Sequence, residues 1–97
     1  MATAQELDKL LLAVQLNEDC TEAVLQLGDH SRLCFCHRVG ERWAKAVGRD
    51  GREEQAGAAG GFLEEIQMFR LNPKHLDIQF ADGSRWDEDL KRFQQPD

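Results

Sequence analysis

Cys34, Cys36 and His37 lie within four consecutive residues. Thiolate and imidazole are the ligands that zinc and copper take. In an extended segment, however, Cys34 and Cys36 face one way and His37 the other. A metal site would need further ligands from Cys20, His30 or His75. The chain has no C-x-x-C pair, and the spacing fits no zinc template. The two cysteines therefore read as small buried hydrophobes. A second cluster comprises Asp77, Asp82, Asp87, Glu88 and Asp89. Calcium is held by several carboxylates with backbone carbonyls in a flexible loop. Asp82-Gly83-Ser84 ahead of three acids offers such a loop, although it lacks the EF-hand spacing. Divalent-cation (calcium) binding is thus an alternative function. A turn followed by acids at a helix N-terminus accounts for the same residues without an ion.

Nucleophilic catalysis needs Ser or Cys with His and an orienting acid. His37 adjoins Cys36, but strand neighbours point apart. His30, His75, Ser31 and Ser84 sit at turns without a partner legible in sequence. No G-x-S-x-G, P-loop or G-x-G-x-x-G occurs. The residues specify no catalytic site and no cofactor.

One group is left over. Arg38, Arg42, Trp43 and Lys45 fall together in a basic stretch. Tryptophan beside arginine is the composition of binding hot spots. It is also the composition of a small core's edge, where Arg stems lie over indole. Trp86 reads as core. Trp43 with Arg38, Arg42 and Lys45 reads as the candidate partner-binding surface.

These residues must be positioned by a small fold. Thr3 and Glu6 form a capping box. Leu7, Leu10, Leu11 and Val14 continue at helical spacing, so a helix is expected from about residue 4 to 16. Alternation then predicts strands around Ala23–Leu27, Arg32–Val39 and Arg42–Val47, separated by Gly28–Ser31 and Gly40-Glu41. Residues 49–61 hold four glycines, which predicts a mobile loop without regular structure. Phe62–Leu71 fits either period, and the tight return at Asn72-Pro73-Lys74 favours a strand for about residues 65–71.

Leu76–Phe80 then alternates cleanly. Asp82-Gly83 suits a two-residue type I′ turn, which would place Arg85 opposite Phe80 and Trp86 opposite Gln79. Asp87, Glu88 and Asp89 would open a short final helix carrying Leu90 and Phe93. The two halves show no repeat of useful length, because their hairpin spacings differ. The expected fold is α+β: an N-terminal helix on one antiparallel sheet of five to six strands, with a short C-terminal helix. It forms one domain over residues 1–97.

The 97 residues carry a net charge of −6, unevenly spread. Residues 30–52 hold six bases against two acids, while the flanks are acidic. A globally acidic chain repels phosphate, so nucleic acid is not an expected partner. An acidic mimic of nucleic acid is disfavoured by the same basic stretch. The longest apolar run, Leu10–Val14, is too short to span a membrane or form a signal-peptide core. Three cysteines cannot all pair, which suits a reducing compartment, and the expected location is the cytoplasm. The expected function is a non-enzymatic protein-interaction or regulatory module. Its partner is another protein or a second copy of the chain.

Overall fold

A computed structural model describes residues 3–72, 75–87, 90 and 92–94. Among them the chain folds as α+β, with two helices and two four-stranded antiparallel sheets. The first half runs α1 (Ala4–Leu10), β1 (Leu11–Leu16), β2 (Glu22–Leu27), β3 (Arg32–Arg38) and β4 (Glu41–Val47). A 3-10 turn at Glu53–Gln55 follows. The second half runs α2 (Ala58–Glu65), β5 (Ile66–Asn72), β6 (His75–Phe80), β7 (Arg85–Asp87) and β8 (Arg92–Gln94). Each sheet is a simple meander in chain order. The expected single sheet of five to six strands is therefore corrected to two sheets of four.

The first helix is shorter than expected. Thr3 caps it, its hydroxyl accepting from the Glu6 N–H at 3.1 Å. It stops at Leu10, and Leu11–Leu16 becomes a strand. LLAVQL fits both periods, and β2 supplies an edge that decides between them. The strand β5 forms as expected, while the residues of its turn, Pro73 and Lys74, lie outside the described set. Among the described residues the final helix is replaced by strand, at Arg92–Gln94. Phe93 gains more in β8, where it meets Trp86 edge-on at 5.2 Å and Phe80 at 5.0 Å. The glycine-rich segment also holds regular elements, because Ala58–Gly61 opens α2. Gly57 takes φ 61° at that start, and a Cβ there would lie 2.8 Å from Asp29 Oδ2.

The two halves repeat one plan. Each is a short helix followed by a four-stranded meander. The pairs Val14–Leu25 and Leu16–Ala23 have counterparts in Phe69–Ile78 and Leu71–Leu76. Both first strands carry a bulge in the same place, between Leu11 and Ala13 and between Ile66 and Met68. Both helices end alike: the Leu10 carbonyl accepts from Gly28 N–H at 2.7 Å, and the Glu65 carbonyl from Ala81 N–H at 2.8 Å. The segments LQLGDHSRL (25–33) and IQFADGSRW (78–86) share Gln, Asp, Ser and Arg at matching places. The expectation of no useful repeat is thus corrected.

Both central turns are three-residue connections with one left-handed residue, His30 at φ 69° and Gly83 at φ 93°. In each, the following serine N–H donates to the aspartate, at 3.0 Å in the first and 2.9 Å in the second. Only Gly83 in the second turn needs positive φ, so the two-residue type I′ turn is replaced by a three-residue connection. Arg85 accordingly faces Gln79 rather than Phe80.

The core joins both halves. Leu25, Leu33 and Phe35 pack in one cluster with Leu76, Ile78, Phe80, Trp86 and Phe93. The helices are exchanged: α2 packs on β3 and β4, and α1 on β8. Asp8 anchors the second contact by accepting from the Phe93 N–H at 2.9 and 3.1 Å. Among the described residues, no helix is long and apolar enough to cross a membrane.

Candidate functional site

Alternation along the β3–β4 hairpin decides which side chains meet. Leu33 and Phe35 enter the core, so Cys34, Cys36 and Arg38 face outward. Cys36 pairs with Trp43, and Cys34 with Lys45, which brings both cysteines under the outer face. Cys36 is fully covered although it lies on the solvent side of the sheet. Burial pushes the Cys34 thiol up. All three cysteines are unpaired.

The cover is a polar network. Arg38 Nε donates to Cys36 Sγ at 3.2 Å and meets Glu41 Oε2 at 2.8 Å. Its terminal nitrogen lies 3.5 Å from Glu22 Oε1. Trp43 Nε1 donates to Glu41 Oε1 at 3.1 Å, and Lys45 Nζ stands 4.9 Å above the indole ring. The Trp43 hydrogen bond, then the Arg38 charge, holds the Glu41 carboxyl below its ordinary range. The Cys36 sulfur, with Glu41 and Glu22, favours the charged form of Arg38. The indole is therefore fixed by two neighbours and half-buried, and it belongs to this face rather than to the core.

The structure gathers Arg38, Trp43 and Lys45 and leaves Arg42 out. Arg42 pairs with His37 and lies on the opposite face. Its guanidinium donates to the Phe69 carbonyl and covers the Phe69 ring at 5.0 Å. His37 Nδ1 accepts from the Leu71 N–H at 3.3 Å. Arg42 thus joins the two halves. Reading the sequence alone missed Glu22, Glu41 and Cys36 as members of the outer network. Glu22 and Glu41 bracket Arg38 across two hairpins, which was the available signal.

The described members of the acidic cluster each have a local partner. Asp77 Oδ2 lies 3.7 Å from Arg85, Asp82 caps the Ser84 N–H, and Asp87 accepts from Leu90 N–H at 3.1 Å. Glu88 and Asp89 lie outside the described residues, as does the His75 side chain. Among the described residues, no three His, Cys, Asp or Glu side chains gather as metal ligands. Comparison with protein families, curated proteins and solved structures returns no match. Function is therefore argued from the site itself.

Proposed function

We propose that the chain is a non-enzymatic protein-interaction module, with the outer face of β3 and β4 around Trp43 as its contact surface. The observation that carries this reading is the fixed indole. Trp43 faces solvent, held by Glu41 and Lys45, while the core on the other side of the sheet closes without it. A tryptophan ordered before contact loses little side-chain freedom on binding. Arg38 and Lys45 beside it supply charge that orients a partner. The partner is a protein, and the free thiols suit a reducing compartment such as the cytoplasm.

Quantitative affinity capture from the native cell tests the reading. The wild-type chain is compared with Trp43→Ala and with a control, Gln67→Ala, placed on β5. A discrete set of proteins bound at least about tenfold less by Trp43→Ala, and unchanged by Gln67→Ala, is the expected outcome. Equal capture by wild type and Trp43→Ala, with unchanged circular dichroism, overturns it.

A further inference from the structure

The repeated plan gives each sheet edge a counterpart, and among the described residues one counterpart lacks its cover. On β5, the Leu71 N–H and the Phe69 carbonyl point away from β6. His37 and Arg42 close them from the β3–β4 hairpin. The matching residues on β1 are Leu16 and Val14. Asn17 N–H donates to the Glu22 carbonyl, so the alternate residues Val14 and Leu16 turn their N–H and C=O groups away from β2. By symmetry the β7–β8 hairpin should close them. Its strands are three residues long against seven in β3 and β4; of the positions equivalent to His37 and Arg42, one is Leu90, outside both strands, and the other lies outside the described residues. β1 is an edge strand. Among the described residues, the outward groups of Val14 and Leu16 have no partner.

Edge strands are ordinarily protected by charge, proline or a covering element. β1 reads LLAVQL, with neither charge nor proline, and Leu12 on it is 69% exposed. We propose that a second copy of this chain adds here, β1 against β1 and antiparallel about a two-fold axis, joining two four-stranded sheets into one of eight. An antiparallel edge is self-complementary: the donors and acceptors at Val14 and Leu16 are what an identical edge requires. Charge favours the same occupant. Two chains of net charge −6 repel, and β1 is an uncharged approach. Exposed Lys9 precedes the strand, and exposed Glu18 and Asp19 follow it. The antiparallel arrangement brings each lysine toward the acids of the other copy. With the axis at Val14, Leu12 of one copy meets Leu16 of the other.

The inference deepens the interaction-module reading, on which it rests, by naming one partner. It uses a different surface, so Trp43→Ala leaves the dimer intact and the two readings fail separately. Sedimentation velocity on the full chain from micromolar to millimolar concentration is the first measurement. A species of twice the 11.0 kDa chain mass is expected. Leu12→Lys, at an exposed site, and Val14→Pro, whose N–H makes no bond to β2, should each restore the monomer with unchanged circular dichroism. Amide exchange locates the contact. Val14 and Leu16 gain protection with concentration, while Gln15, bonded to β2, is protected throughout. A wild-type monomer at millimolar concentration overturns the proposal. So does a dimer that survives Leu12→Lys, or one in which Val14 and Leu16 exchange as in the monomer.

Discussion

Ser31 and Ser84 occupy the same place in the two copies of one turn, and both are buried. Their hydroxyls have different surroundings. Ser31 Oγ donates to Asp29 and accepts from the Ala59 N–H at 3.2 Å. Asp29 Oδ2 accepts from the Ala58 N–H at 2.8 Å, so the pair caps α2. Burial alone would raise the Asp29 carboxyl; these hydrogen bonds outweigh it and hold it lower. Among the described residues, Ser84 Oγ has no hydrogen-bond partner. Ser31→Ala should therefore destabilise by about 1–3 kcal/mol, because it orphans a helix N–H. Ser84→Ala should fall within about 0.5 kcal/mol of wild type, or stabilise, because it removes an unsatisfied group. Urea unfolding of the two variants decides this, and equal losses would refute the assignment.

The β3–β4 hairpin behaves as one element with two working faces. Its outer network depends on an ionised Glu41. The folded value of that group is lowered from its ordinary 4.5, so its contribution is full above pH 4.5 and fades as pH falls through the lower folded value. The Trp43 indole N–H resonance should shift on acidification with its midpoint below pH 4.5. Glu41→Gln should abolish that step. A shift centred above pH 4.5 contradicts the network.

This hairpin and β2 were legible in the sequence because alternation and turn residues agreed. The face of Trp43 was legible too, but Arg42 was grouped with it by proximity in sequence although alternation sends it to the other side. β1 was not legible. Its six residues satisfy a helix and a strand alike, and only the tertiary edge of β2 separates them. The final strand failed for a related reason. Two apolar residues, Leu90 and Phe93, are too few to fix a period, and the aromatic contacts that decide the matter are non-local.

At the scale of the molecule, the repeat is faint in the sequence because its shared residues are four polar ones in and beside one turn. Gln26, Asp29, Ser31 and Arg32 recur as Gln79, Asp82, Ser84 and Arg85, whereas the apolar positions between them are exchanged. Leu25, Leu27 and Leu33 become Ile78, Phe80 and Trp86, which preserves burial and erases identity. The shorter β7–β8 hairpin removes the common spacing as well. The exchange of helices makes the halves interdependent, since each sheet is covered by the helix of the other. Thermal unfolding should therefore be one transition, with calorimetric and van't Hoff enthalpies equal. Two resolved transitions would show that the halves are separate units.

The Asp8–Phe93 contact also sets an order of events during synthesis. Its partners are 85 residues apart in the chain. At ordinary ribosomal rates that interval lasts about 4–17 s. Leu7 and Ala4, wholly buried in the finished fold, have no seat on β8 until that strand emerges. The helix face that carries Ala4 and Leu7 therefore waits without its β8 partner for the whole of that interval.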